Sequence, residues 1–359
     1  MRKKRVGIAG IDHYHTTGWV DSLQAFDDRL EVVALYDSDP SRGATLAPSY
    51  YDPHLSAKLD ERYRSVPFVT DLDELIDRHA IDIALVTLPN AVAPGAIAKL
   101  ASAGIHLLVD KPAAANAPAA EAAFAVAKER GVRVATGLIR RYGRGWQHAK
   151  AMLDSGRAGK ILSTEAVFNT SSPFVRDPAN PIFRQEMQGG GILLWLGVHD
   201  IDQLLWLTGE RIVEVQAMAR QVNDSGIDVE DAISVTVRYE GGAIGTAHCA
   251  YVLPRTLSDG YLALRGSKGS VQVTFNGAVK WIGAGTPSDP VLEETLTYAN
   301  YPAPGYGALA AAVIEDLLGA IDEDRETLAN SDDLVAALRV IDAAYASAKS
   351  GERVTIDWN

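Results

Sequence analysis

The stretch Val6-Gly7-Ile8-Ala9-Gly10-Ile11-Asp12-His13-Tyr14-His15-Thr16-Thr17-Gly18 runs from a short apolar segment through a glycine turn into a helical pattern. A strand, a tight turn and a helix in this order open a dinucleotide-binding βαβ unit, where three glycines serve turn, diphosphate and helix packing. Only the first of these is present, as Gly10; Asp12 holds the second place and His15 the third. A carboxylate at Asp12 opposes a diphosphate: at ~5 Å and an effective dielectric of ~20, one unit-charge pair costs roughly 3 kcal/mol. Protonated His13 or His15, or the helix N-terminus, offsets part of that cost.

Outward from this turn, apolar runs alternate with helical patterns. Val6–Ile11, Leu30–Tyr36, Ile81–Leu88, Ile105–Val109 and Val132–Gly137 read as strands. Trp19–Phe26, Leu72–Arg78, Pro94–Ala103 and Ala119–Arg130 read as the helices separating them. Strands and helices in alternation predict a doubly wound, parallel α/β sheet of Rossmann type over residues 1–138. After Arg140 strands follow one another: Ile161–Asn169, Ile212–Gln221, Ala232–Tyr239, Ala243–Tyr251, Tyr261–Arg265, Ser270–Phe275 and Val279–Ile282. Ile233, Val235, Val237 and Tyr239 alternate with Ser234, Thr236 and Arg238, the period of a strand with two unlike faces. Gly241-Gly242 and Ser267-Lys268-Gly269 read as hairpin turns. Residues 139–359 are thus expected to form an α+β domain with a mostly antiparallel sheet. Helices over Ala308–Ile321 and Asp332–Lys349 and a short strand in Arg353–Asp357 close the chain.

The chain has 359 residues, enough for two domains with cores of their own. Lys and Arg number 34 against 46 Asp and Glu, a net charge of −12, which argues against nucleic acid or an anionic membrane surface as partner. Cys249 is the single cysteine, so an internal disulfide and a thiolate zinc site are excluded. The basic start Met1-Arg-Lys-Lys-Arg5 leads into an apolar stretch broken at Asp12, and no apolar run is long enough to span a membrane. A cytoplasmic protein is expected.

Three further signals bear on chemistry. Asp37, at the end of the second strand, stands where an acid accepts both ribose hydroxyls and repels a 2′-phosphate, which predicts NAD over NADP; Asp37-Ser38-Asp39-Pro40 also suits a turn and helix cap. Val109-Asp110-Lys111-Pro112 ends a strand of the parallel sheet, where Lys111 suits a substrate hydroxyl, although a surface lysine before a helix fits the same residues. In Gly189-Gly190-Gly191 through Trp206, the residues Trp195, His199, Asp202 and Trp206 are spaced to share one helix face, a base with its orienter or simply an amphipathic helix. His13 and His15 form a loop pair without an obvious third ligand, so no metal is expected.

Together these segments resemble the Gfo/Idh/MocA family of NAD(P)-dependent oxidoreductases. Arg5–Gly10 with Asp37, Leu85–Asn90, Gly104–Pro112, Arg140-Arg141-Tyr142, Gly156–Ile161, the glycine run through Asp202, and Ala346–Val354 carry the resemblance. It implies hydride transfer between nicotinamide and a carbon bearing a hydroxyl on a sugar, polyol or glycoside. It also implies a homodimer or homotetramer assembled through the open sheet. Gly10, Ile11, Asp12 and His13, then Asp37 and Ser38, then Leu88, Pro89 and Asn90, and finally Asp110 and Lys111, are the residues expected at NAD. By the same resemblance Lys111 contacts cofactor and substrate, His199 takes the hydroxyl proton, Asp202 is a helix acid near the substrate, and Arg141, Tyr142 and Trp195 join His199 on the substrate side.

Departures from the family pattern are Trp195 where an aspartate usually precedes the histidine, Ala93 where a histidine often follows the Pro-Asn pair, and Asp12 and His15 in the glycine motif. Arg176 and Arg184, on a Pro-rich loop, suit an acidic or phosphorylated sugar, or ion pairs with the acidic surface. Two other functions share these residues: a non-catalytic sensor or scaffold of this fold, and a redox-assisted lyase or glycosidase that recycles bound NAD.

Overall fold

The computed structural model describes residues 2–43, 53–254, 257–283, 293–297 and 307–358. Its first sheet contains β1 (Lys4–Ala9), β2 (Leu30–Tyr36), β3 (Phe68–Val69), β4 (Ile83–Val86), β5 (His106–Val109) and β6 (Val134–Thr136). They lie in the order β3-β2-β1-β4-β5-β6, with every pairing parallel. All four residues of β4 are buried, as expected of a central strand covered on both faces. The order reverses between β1 and β4, so the carboxyl ends of these strands flank the crevice in which such sheets bind ligands.

The chain divides into two compact units, Met1–Ile139 with Pro302–Leu334, and Arg140–Tyr301 with Val335–Asn359. The division expected from sequence at residue 138 assigns the whole remainder to the second domain, and here the structure differs. β6 is an edge strand whose backbone groups need cover. Thr136 N–H donates to Ala329 O at 2.9 Å and Thr327 Oγ1 donates to Val134 O at 2.8 Å, so a segment far along the chain closes that edge. Helix Gly307–Glu323 packs on helix Thr16–Leu23 in the same unit, and Arg29 ion-pairs with Glu315.

The second unit holds β7 (Ile161–Thr170), β8 (Ile212–Arg220), β9 (Ala232–Tyr239), β10 (Ile244–Tyr251), β11 (Ser258–Gly266), β12 (Gly269–Thr274), β13 (Val279–Gly283), β14 (Glu293–Leu296) and β15 (Val354–Thr355). Their order is β14-β13-β12-β11-β7-β10-β9-β8-β15, antiparallel except for the β7–β10 pair. In β9, Ile233, Val235, Val237 and Tyr239 are buried while Ser234, Thr236 and Arg238 face out, as their alternation predicts. Among the described residues no helix is long and apolar enough to cross a membrane.

Candidate active site

In the first unit, β1 ends in a turn that only glycine fits. Gly10 has φ +95°, and a Cβ there would lie 2.7–2.8 Å from backbone atoms of Thr87 and Leu88 at the end of β4. Both the left-handed conformation and the approach of a neighbouring strand end exclude a side chain. Thr87 N–H donates to Ala9 O at 2.8 Å and the Thr16 hydroxyl donates to Thr87 Oγ1 at 2.9 Å, tying turn, strand and helix together.

Asp37, 8% exposed, accepts the Ile11 N–H at Oδ2 (3.3 Å) and the Asp39 N–H at Oδ1 (3.1 Å). The acid expected at the ribose is thus drawn against the glycine turn. Asp12 forms an ion pair with Arg42, whose Nε also lies 3.8 Å from Asp37 Oδ1 and 3.5 Å from Asp39 Oδ2. Arg42, which the sequence did not single out, thereby supplies positive charge beside the misplaced Asp12. Next to these residues a cavity of about 430 Å³ is lined by Tyr36, Ser38, Leu88, Val92, Ala96 and Lys99 among others. A tight turn, an acid at the end of β2 and a partly apolar cavity between the ends of β2 and β4 suit the diphosphate, ribose and adenine of a dinucleotide.

At the end of β5, Asp110 and Lys111 are 4% and 2% exposed. Lys111 is therefore not the surface lysine that its local sequence also allows. Asp110 Oδ2 lies 2.8 Å from His15 Nδ1 and 3.8 Å from His13 Nδ1, while Trp19 Nε1 donates to Oδ1 at 2.9 Å. Burial raises the Asp110 pKa, but the charge and hydrogen bond of His15, with the charges of His13 and Lys111, outweigh it and hold the carboxyl far below the usual range. The two histidines that seemed to lack a third partner in the sequence thus have one, 95 residues along the chain from His15.

In the second unit, a π-helical turn, Leu193–Gly197, leads into helix Val198–Thr208. The spacing argument for Trp195 assumes regular helix, and the structure has a wider turn at this point. Glu230 holds the start of this segment, accepting N–H groups from Gly191 (2.6 Å) and Leu193 (3.1 Å) and the Tyr345 hydroxyl (2.8 Å). Burial pushes the Glu230 carboxyl above its usual range against these hydrogen bonds. A Cβ on Gly191 would come within 2.0 Å of Glu230 O, which gives one of the three glycines its reason.

His199 is 8% exposed, near the start of the helix. Asp202, expected as a substrate-side acid, and Arg141, expected at substrate, meet in a buried ion pair. Arg141 Nε reaches the two Asp202 oxygens at 3.0 and 3.2 Å, Nη2 lies 2.5 Å from Oδ1, and Gln203 Nε2 donates to Oδ2 at 3.1 Å. The Arg141 guanidinium also stands over the Trp206 ring, 5.5 Å from its centroid. Neighbouring Arg140 pairs with Asp200, and Cys249 Sγ lies 3.7 Å from Asp200 Oδ2. Trp195 is 2% exposed; Tyr142 ends a short 3-10 turn, Ile139–Tyr142.

A doubly wound sheet with a dinucleotide-type turn defines a dinucleotide-binding fold, here followed by a unit built on an open nine-stranded sheet. A family model described as "Oxidoreductase family, NAD-binding Rossmann fold" matches residues 4–138, and one described as "GFO/IDH/MocA C-terminal domain" matches residues 146–272. The chain belongs to the Gfo/Idh/MocA family of NAD-binding oxidoreductases.

Inositol 2-dehydrogenase of Rhizobium meliloti (strain 1021) is 27% identical over 298 residues, 80% of this chain and 84% of that protein. Myo-inositol dehydrogenase Hyg17 of Streptomyces leeuwenhoekii is 29% identical over 197 residues, 54% of this chain; the match spans 58% of that protein's length. Levoglucosan dehydrogenase in complex with NADH and levoglucosan has the same fold, with a TM-score of 0.82 at 20% identity over 100% of both chains.

Proposed function

We propose that the protein is an NAD-dependent dehydrogenase acting on a secondary hydroxyl of a sugar, polyol or glycoside. The observation that carries this reading is the Gly10 turn seated on Thr87 and Leu88 with Asp37 drawn against it, a cradle fitted to a dinucleotide. Names of the relatives, inositol dehydrogenases among them, favour a cyclic polyol or sugar. Gly10, Ile11, Asp12, His13, Asp37, Ser38, Leu88, Pro89, Asn90, Asp110 and Lys111 would hold the cofactor. NAD bound there supplies the hydride acceptor.

Removal of a hydride from a carbinol carbon requires the hydroxyl proton to leave to a base. We assign that proton to His199, and to Lys111 a contact with the cofactor at the end of β5. Tyr142 and Trp195 complete the substrate side. We assign Asp202 and Arg141 a positioning role, since each holds the other at the helix that carries His199. The outer face of the nine-stranded sheet, where Met218 and Ile244 are 77% and 58% exposed, is the surface we propose for a homodimer or homotetramer.

Screening inositols, aldoses and glycosides with NAD for release of NADH tests the reading directly. Release on a member of the panel supports it. Tight NAD binding with no turnover across the panel overturns it in favour of a sensor, and turnover of substrate without net NADH points to the lyase or glycosidase chemistry.

Cofactor choice has its own test. Asp37→Asn removes the charge that would accept the ribose hydroxyls and is expected to weaken NAD binding about tenfold or more, the range for a charged hydrogen bond. NADP binding is expected to strengthen relative to NAD, because the carboxylate that repels a 2′-phosphate is gone. Calorimetric titration with both dinucleotides reads the ratio, and an unchanged ratio removes Asp37 from the ribose site.

A further inference from the structure

The dehydrogenase reading gives the imidazole of His15 no task, and its use of His13 and Asp110 needs only their place beside the cofactor. These three groups nevertheless form the one cluster of potential metal ligands among the described residues, with a donor atom from each lying within 4.8 Å of the others. Asp110 Oδ2 faces both rings, 2.8 Å from His15 Nδ1 and 3.8 Å from His13 Nδ1. A tetrahedral ion with ligand bonds of about 2.0–2.1 Å needs donors roughly 3.3 Å apart, so modest side-chain adjustment closes the set around one ion.

Two other features suit a metal. Trp19 Nε1 donates to Asp110 Oδ1, which orients the carboxylate with Oδ2 toward the two rings, as outer hydrogen bonds do at metal-bound carboxylates. All three residues are at most 7% exposed, so the donors are already desolvated and held by packing. They come from the turn after β1 and the end of β5, and an ion there would pin the first turn to the strand that carries Lys111.

We propose that His13, His15 and Asp110 bind one divalent late first-row transition ion, of which Zn²⁺ is the type. One ring nitrogen from each histidine and Asp110 Oδ2 coordinate it, and the fourth position stays open to water or a ligand oxygen. Two imidazoles favour such an ion over Mg²⁺ or Ca²⁺, which prefer all-oxygen sets. The same approach of His15 to Asp110 is otherwise bridged by a proton, and the ion replaces that proton on binding.

Chelator-treated full-length protein is titrated with Co²⁺, read by visible absorption, and with Zn²⁺, read by calorimetry and by metal analysis after gel filtration. The expected result is a single equivalent with the intense visible bands of a four-coordinate Co²⁺ site. His13→Gln and His15→Gln are each expected to weaken binding by at least about 10–100-fold, with the far-UV spectrum unchanged, whereas His148→Gln leaves it as it was. Absence of uptake by the wild-type protein overturns the proposal without recourse to any variant. So does uptake that survives in the protein lacking both His13 and His15, which assigns the ion to other side chains. The readout needs neither NAD nor substrate, so its failure leaves the dehydrogenase reading standing, and the converse holds.

Discussion

His199→Ala is expected to lower kcat on the true substrate by about 10²–10⁴-fold, the usual worth of a positioned general base. The affinity for NAD, measured by titration, should stay the same, because the proposed cofactor residues all belong to the first unit. His199 is buried at the start of a helix whose entry is fixed by other groups: Glu230 accepts the Gly191 and Leu193 N–H groups, and Tyr345 donates to Glu230. Loss of the imidazole therefore removes the base and leaves its platform. The kinetic signature is a fall in kcat and kcat/KM together, since a proton taken only as the hydride leaves contributes to the transition state and not to the ground state. Undiminished turnover would remove His199 from the chemistry.

What the sequence made legible was local in origin. Gly10 declares itself because a tight turn after an apolar run needs a glycine, and the structure adds the backbone of Thr87 as a second reason. The strands Leu30–Tyr36 and Ala232–Tyr239 are found where their patterns end, because burial on one or both faces writes a period into the residues themselves. Elements without such a signal were not anticipated. β3 is two residues long, β14 is the polar edge strand Glu-Glu-Thr-Leu, and helix Pro53–Tyr63 has a polar composition with few apolar positions to repeat.

The site was harder to read for a related reason: its pairings are long-range. His15 meets Asp110 across 95 residues, and Arg141 meets Asp202 across 61. No spacing rule connects such residues; only the fold does. Arg42, by contrast, lay five residues beyond Asp37, and its positive charge could have been weighed against Asp12 from sequence alone. The turn at Leu193–Gly197 is π-helical where the spacing argument assumed regular helix, a widening that no residue pattern announces.

The ion pair between Arg141 and Asp202 carries the largest expected effect on stability. Its side chains are 5% and 1% exposed, so removal of either partner leaves a charge in a site that water does not reach. Asp202→Ala and Arg141→Met are each expected to cost about 3–5 kcal/mol, read from the midpoint of urea unfolding at unchanged slope. The double replacement Asp202→Leu with Arg141→Met leaves neither charge behind and should recover much of that loss, since apolar groups of similar volume commonly replace a buried pair at little cost. This pattern separates the two roles open to Asp202. An acid acting on substrate gives Asp202→Asn a large fall in kcat with a well-folded protein, whatever stands at position 141. A positioning residue gives the opposite: stability falls with the pair broken, the remaining kcat follows the fraction of folded protein, and the apolar double variant regains activity together with its fold. Because Gln203 and the Trp206 ring share the same guanidinium and carboxylate neighbourhood, the pair is held from several sides, and that is why we expect the second pattern.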